Sequence, residues 1–198
     1  MAKISKSWSG AKYSRLSERE RNSLLKEMLL EAVDPNSIWV FGFGSLMWNP
    51  GFKPREKQRV LLNGFERKFH IWSTNGRGTE EKPGLGLCLE PARKGTCTGI
   101  AIRISSKTRD QDLKYLWDRE MKSGIYQPKW VTVERDDGSD LRTLTWVVNV
   151  GHVRYAGPRS IREMARIMAD STGKYGTCRD YLRNTVRQMA KLGDHDPM

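Results

Sequence analysis

The stretch WVFGFGSLMWNP at residues 39–50 places two glycines and a serine at the end of an apolar run typical of a buried strand. Glycine loses much backbone entropy on folding, so Gly42 and Gly44 indicate that bare backbone is needed there. Consecutive N–H groups in such a turn can bind a carboxylate or an oxyanion, and the Ser45 hydroxyl would add a donor. The alternative is a β-bulge or barrel corner where glycine relieves crowding.

The loop differs from the glycine-rich loops that bind nucleotides. The dinucleotide fingerprint requires a third glycine where this chain has Met47, and the phosphate-binding loop requires a Gly-Lys-Ser/Thr run that is absent here. The expected ligand is therefore a small anion.

A second candidate is Glu120, in the segment TRDQDLKYLWDREMKSG at residues 108–124. The segment has the periodicity of an amphipathic helix, with an apolar stripe formed by Leu113, Leu116, Trp117 and Met121. Glu120 falls within this stripe, whereas Asp118 and Arg119 are expected to point elsewhere. Desolvation would raise the pKa of such a carboxyl towards that of a general base. The alternative is a glutamate at the edge of the stripe, paired with an arginine or lysine.

Familiar motifs for covalent catalysis are missing. There is no G-x-S-x-G elbow and no evident Ser-His-Asp or Cys-His set, so an enzyme would act with a base and an anion site only. The residues that could bind a metal are His70, His152, His195, Cys88, Cys97 and Cys178. None has the spacing of a metal site, and we predict reduced thiols, no metal and no cofactor. Such a site suits a reaction whose nucleophile is carried by the substrate.

An α+β scaffold is expected to position these segments. Capping signals, namely Ser17 with Glu20, Thr108 with Gln111 and Thr177 with Asp180, and apolar periodicity predict helices over 17–33, 108–124, 159–170 and 178–192. Strands are predicted at 38–41, 59–62, 65–72, 85–89, 98–104, 130–135 and 141–150. PARKG and DDGSD are expected to be turns, the second of a hairpin. The pattern favours a mixed, strongly curved or barrel-like sheet with flanking helices.

We divide the chain into an N-terminal extension at 1–34, disordered over its first 13 residues and then helical, and a domain at 35–198. Its 198 residues suffice for one domain with a core. No membrane span and no secretory signal is evident, so a cytoplasmic location is expected. The net charge of +12 is scattered, which favours a solvated basic surface over a nucleic-acid site. The sequence carries no signal for an oligomeric state.

Several motifs in order resemble the ChaC-like γ-glutamylcyclotransferases. They are WVFGFGSLMWNP, GFERKFHIWSTNGRGTEEKPGLGLCL, GTCTGIAIRI, LKYLWDREMKSGIYQPKWV, YAG and DYLRNT. The resemblance runs from about Ile38 to the C-terminus. One departure is Phe43, which stands where the family usually has tyrosine.

The resemblance implies a barrel with helices and cleavage of glutathione, or a related γ-glutamyl peptide, to 5-oxoproline and Cys-Gly. It assigns the catalytic base to Glu120 and substrate binding to the loop residues Gly42, Phe43, Gly44, Ser45, Leu46 and Met47. Tyr155 is similar to a family tyrosine near the substrate, Tyr126 is expected to line the pocket, and Arg77 to meet a carboxylate. The simpler alternatives are core or rim tyrosines and a solvated arginine.

Three functions can be compared at this point. The first is a cofactor-independent γ-glutamylcyclotransferase of small-molecule substrates, which the order of the motifs favours. The second is a non-catalytic module that binds a small anion or a partner and regulates, for example, cation transport. The third is a nucleic-acid binder, indicated by the charge alone.

Overall fold

A closed five-stranded barrel positions the two candidate segments. The computed structural model describes residues 7–193, and the strand order in its barrel is β1-β3-β2-β4-β5. The strands are β1 (Trp39–Gly42), β2 (Glu56–Ser73), β3 (Gly84–Arg103), β4 (Tyr126–Arg135) and β5 (Asp140–Val148). The barrel closes where β1 pairs in parallel with β5, Val40 opposite Leu144. The predicted α+β class with a barrel-like sheet is confirmed.

Two long strands replace four predicted short ones. β2 and β3 pair antiparallel along most of their length, and the register changes where Asn63 faces Thr96 but Phe65 faces Pro91. Residues 92–95 are therefore extra on β3, opposite Gly64 with its φ of 82°. The prediction of a turn at PARKG is wrong because the same partner strand continues on both sides, which converts the Pro- and Gly-containing segment into a bulge.

Within residues 7–193, four α-helices flank the barrel, and one 3₁₀ turn (Ser45–Met47) lies in the glycine loop. The α-helices are α1 (Glu18–Leu30), α2 (Arg109–Met121), α3 (Ile161–Asp170) and α4 (Cys178–Lys191), and a short β6–β7 hairpin (Thr172–Gly173, Gly176–Thr177) precedes α4. The capping box of Ser17 with Glu20 is present, as predicted. The one predicted for Thr108 with Gln111 is wrong. Thr108 has a ψ of 10° and not the extended backbone of a capping residue, so its hydroxyl does not accept from the Gln111 N–H and instead donates to the buried carboxylate of Asp112 at 2.6 Å.

Helix α2 is held between the barrel and α1. Its apolar stripe packs on barrel residues such as Ile102, Leu144 and Trp146. On its outer side, Arg21 of α1 pairs with Asp118 at 2.9 Å. These contacts fix the rotation of α2 about its axis, which decides where Glu120 points.

The chain before α1 has neither helix nor strand over residues 7–17. Trp8 nevertheless contacts the barrel core, and its indole N–H donates to the carbonyl of Glu80 at 2.9 Å. Residues 1–6 of the predicted disordered start lie outside the described residues, and so does His195. The boundary after residue 34 stays a prediction. Among residues 7–193, no helix is long and apolar enough to cross a membrane.

Candidate active site

A cavity lies where β1 ends and its loop faces α2. Its volume is about 330 Å³ including the open mouth, and it is lined by Phe43, Gly44, Ser45, Leu46, Leu87, Glu120, Tyr126, Trp146 and Tyr181. The two segments selected from the sequence, the glycine loop and the helix with Glu120, therefore meet in one place.

The loop glycines are needed because of close contacts. A Cβ on Gly42 would lie 2.9 Å from the Cβ of Leu46, and one on Gly44 would lie 3.3 Å from both the Tyr181 hydroxyl and Leu87 Cδ1. The φ of Gly44 is −136°, so left-handed backbone is not the reason. The pairing of β1 with β3 runs in register through Gly42, which argues against a bulge, whereas the 2.9 Å contact at Gly42 agrees with the other part of the alternative, a glycine that relieves crowding. Gly42 keeps the loop closed, and Gly44 keeps the cavity open.

Glu120 is partly buried in the cavity wall, with its side chain 16% exposed. Desolvation raises the pKa of its carboxyl, and the positive charge of Arg119 opposes this increase. Arg119 Nε lies 3.1 Å from Glu120 Oε1. Both readings of Glu120 therefore hold together: the carboxylate faces the cavity, and it has an arginine partner.

The prediction that Arg119 points elsewhere is wrong. Its guanidinium donates to Ser45 Oγ at 2.7 Å and to the carbonyl of Asn49 at 2.8 Å. Adjacent Cα–Cβ bonds of a helix diverge, but an arginine side chain is long enough to fold back, and the loop supplies acceptors for it. Arg119 thereby joins the glycine loop to the helix that bears Glu120.

Two tyrosines complete the cavity wall. The Tyr126 hydroxyl donates to the carbonyl of Leu87 at 2.6 Å. The Tyr181 ring is packed between Trp48 and Phe69, with centroid distances of 5.8 and 6.1 Å. Burial, reinforced by the negative charge of Glu120, raises the pKa of both tyrosines. Both therefore stay protonated near neutral pH. The single proton of the Tyr126 hydroxyl is already donated to Leu87, so Tyr181 is the tyrosine whose hydroxyl can donate to a ligand in the cavity.

This arrangement combines a carboxylate of raised pKa, protonated tyrosines and backbone close to a small cavity. The family model for ChaC-like proteins matches residues 38–197. The chain belongs to the ChaC-like family.

Relatives of this ChaC-like protein agree with that assignment. The glutathione-specific gamma-glutamylcyclotransferase of Escherichia coli K12 is 34% identical over 180 residues, which are 91% of this chain and 77% of that protein. Glutathione-specific gamma-glutamylcyclotransferase 1 of Homo sapiens is 30% identical over 164 residues, which are 81% of this chain and 70% of that protein. A crystal structure of the glutathione-specific enzyme from yeast has a TM-score of 0.71 at 22% identity, covering 82% of this chain and 89% of that one. At that identity the likeness shows the fold.

The other residues assigned from the resemblance lie at different depths around the ChaC-like cavity. Gly42 and Met47 flank the lining residues of the loop, and Met47 is buried beneath it. Arg77 lies behind Tyr181, with its guanidinium carbon 5.0 Å from the ring centroid, and donates to the carbonyl of Tyr175. Tyr155 is buried in an apolar cluster that Tyr126 also contacts, outside the cavity lining. Burial and the neighbouring Glu90 raise the pKa of Tyr155.

A buried polar cluster of the ChaC-like barrel contains residue types that bind metals. His70, Cys88 and Glu90 place their donor atoms within 4.8 Å of one another. His70 Nδ1 is 2.7 Å from Glu90 Oε1, a direct hydrogen bond. Ligands of a tetrahedral zinc ion would be about 3.4 Å apart, given metal–ligand bonds of about 2.1 Å. The geometry therefore fits a His–Glu hydrogen bond better than a metal site.

Sequence reasoning missed several cavity residues, namely Leu87, Trp146 and Tyr181. Leu87 and Trp146 belong to strands in which apolar and polar residues alternate, and this pattern predicts only that their side chains are buried. Tyr181 lies in DYLRNT, which helped to indicate the family, yet its place in the cavity depends on how α4 docks on the barrel. The local signal was the Thr177 cap, which sets where α4 begins.

Proposed function

We propose that this protein is a γ-glutamylcyclotransferase that converts glutathione into 5-oxoproline and Cys-Gly. The α-amine of the γ-glutamyl group attacks its own γ-carbonyl carbon and forms the ring C–N bond. The amide bond to cysteine then breaks, and its nitrogen leaves as the amine of Cys-Gly. No water is consumed.

Glu120 acts as both base and acid in this scheme. The α-amine starts as an ammonium ion, so a proton must leave before the nitrogen can attack. The Glu120 carboxylate takes that proton and passes it to the departing nitrogen. The attacking nitrogen carries a second surplus proton once the C–N bond has formed, and this proton follows the same route, so that the products are a neutral lactam and the ammonium form of Cys-Gly and the enzyme ends in its starting state. A carboxyl whose pKa is raised by burial suits both steps better than a solvated one.

In this scheme the loop and Tyr181 bind the charged parts of the substrate. Residues 43–46 line the same cavity as Glu120, and among them Gly44 has no side chain to cover its backbone. In our proposal the N–H groups of this loop bind the substrate α-carboxylate or the oxyanion that develops on the γ-carbonyl. This role uses backbone atoms, so Phe43 in place of the usual tyrosine is compatible with it.

One observation carries the proposal: a partly buried carboxylate faces a glycine-lined backbone turn across one small cavity. A regulatory module that only binds anions would gain nothing from a carboxylate there, since it would repel them. The relatives named above are glutathione-specific enzymes, which supports glutathione as the substrate. We also propose a cytoplasmic location, which fits the three buried free thiols of the described chain.

The test is incubation with glutathione and a panel of γ-glutamyl peptides and amines in water enriched in ¹⁸O. We expect 5-oxoproline from glutathione without ¹⁸O, because cyclisation uses no water. Glutamate that carries ¹⁸O would indicate hydrolysis and would refute this mechanism. An absence of turnover on the whole panel would favour the binding module.

A further inference from the structure

Behind the glycine loop lies a charged residue that neither the sequence analysis nor the mechanism above uses. Arg67 of β2 is fully buried in the barrel, with 0% of its surface exposed. Its Nε donates to the carbonyl of Phe43 at 2.6 Å, and a terminal nitrogen donates to the carbonyl of Thr98. A buried guanidinium is costly to desolvate, so its position calls for a reason.

The hydrogen bond to Phe43 determines which way the next amide points. All peptide bonds described are trans, and in a trans peptide the C=O and the N–H point in opposite directions. Arg67 is not among the residues that line the cavity, whereas Phe43 and Gly44 are. When Arg67 holds the Phe43 carbonyl from behind, the N–H of Gly44 is directed to the other side, towards the cavity.

The charge of Arg67 acts in the same direction. A cation on the carbonyl oxygen polarises the peptide and makes its N–H a stronger donor, and within the barrel such an effect is screened less than in water. An anion in contact with Gly44 would therefore be stabilised by the N–H dipole and by a cation that never touches it.

We propose that Arg67 is a positioning residue that orients and polarises the Phe43–Gly44 peptide as a donor to the negative charge of the γ-glutamyl substrate. This inference rests on the proposed function and adds a second part to the site. The oxyanion of the γ-carbonyl and the α-carboxylate share the required chemistry, and kinetics separate them. A decrease in kcat would indicate that the peptide stabilises the oxyanion, and an increase in KM would indicate that it binds the α-carboxylate.

The first test compares Arg67→Met with wild type. Methionine fills a similar volume but removes the charge and the hydrogen bonds, and we expect kcat/KM for glutathione to fall at least 100-fold. Val133→Ala is the matched control, because Val133 is fully buried in the core cluster that also contains Phe43, and its truncation lowers stability while the Arg67–Phe43 hydrogen bond stays. Both variants are assayed at a temperature where circular dichroism shows them fully folded. A folded Arg67→Met enzyme within threefold of wild type would overturn the proposal.

The second test works on the unmodified chain, so it stands even if Arg67→Met does not fold. Protein labelled with ¹⁵N-glycine is titrated with 5-oxoproline, and binding is followed in parallel by calorimetry. We expect the Gly44 amide resonance to shift downfield on saturation. If calorimetry shows binding and Gly44 does not move, the proposal is wrong. Wild-type protein that makes no 5-oxoproline would refute the proposed function instead, which keeps the two failures apart.

Discussion

Replacing Glu120 by glutamine tests the proposed chemistry most directly. The substitution keeps the shape of the side chain but removes its ability to take a proton near neutral pH. General-base catalysis contributes about 10²–10⁴ in rate, or about 3–5 kcal/mol in activation free energy. We expect a loss of this size mainly in kcat, because the loop and not Glu120 is assigned to hold the substrate.

The structure also limits the effect on stability. The Arg119–Glu120 pair is partly exposed, at 23% and 16% of the two side chains. A pair of this kind contributes about 0–1 kcal/mol. Arg119 keeps its bonds to Ser45 and Asn49 in the variant, so no buried cation is left alone. Glutamine also relieves the desolvation of the carboxylate. We expect the melting temperature to change by no more than about 2–4 °C.

Asp118→Asn is the matched control, since it makes the same chemical change on the same helix. Asp118 pairs with Arg21 and Lys114 on the outer side of α2, away from the cavity. We expect this variant to lose some stability and to keep its activity. Thermal unfolding and 5-oxoproline production are measured on the same preparations. If Glu120→Gln were destabilised but active per folded molecule, Glu120 would be a structural ion-pair partner, and the mechanism would be refuted.

Further predictions concern pH, Arg119, the loop and metals. Glu120 must be deprotonated to act as the base, and burial raises its pKa above the ordinary value of 4.5 in the free enzyme, so kcat/KM should decrease on acidification with a midpoint above pH 4.5. A midpoint at or below that value would contradict the burial argument. Arg119→Met removes the charge that lowers the pKa of Glu120, so the acidic midpoint should move to higher pH. KM should rise, because Ser45 of the loop loses its hydrogen bond from Arg119. An unchanged pH profile would mean that the pair has no electrostatic effect. Gly44→Val would push a branched side chain against Tyr181, and glutathione binding, measured by calorimetry on the folded variant, should be lost; wild-type affinity would show that the cavity tolerates a side chain there. The proposed mechanism routes no step through a metal, so dialysis against EDTA should leave kcat unchanged; activity lost on chelation and restored by one added metal would overturn it.

What could be predicted from the sequence is what depends on local signals. The Ser17 and Thr177 caps, and the hairpin turn with Gly138 at φ 77°, are set by residues within a few positions of each other. Glu120 was found in the same way, from its place in an apolar stripe. The predictions that were wrong concern segments whose structure is decided by contacts with distant parts of the chain. PARKG has the composition of a turn, and only the pairing of its flanks with β2, Pro91 with Phe65 and Thr96 with Asn63, turns it into a bulge.

The electrostatics of the site could not be predicted because they arise between distant parts of the chain. Arg119 reaches Ser45 across 74 positions, and Arg67 reaches Phe43 across 24. Helical periodicity directed Arg119 away from the apolar stripe, and no pattern in the sequence marked Arg67, because neither signal contains the acceptors that the folded barrel brings near. The two cations act on different groups of the same site. Arg119 restrains the basicity of Glu120, and Arg67, by our proposal, strengthens the opposing N–H donor. If both assignments hold, removing Arg119 should move the pH profile and removing Arg67 should not, because Arg67 acts on the substrate charge and not on the base.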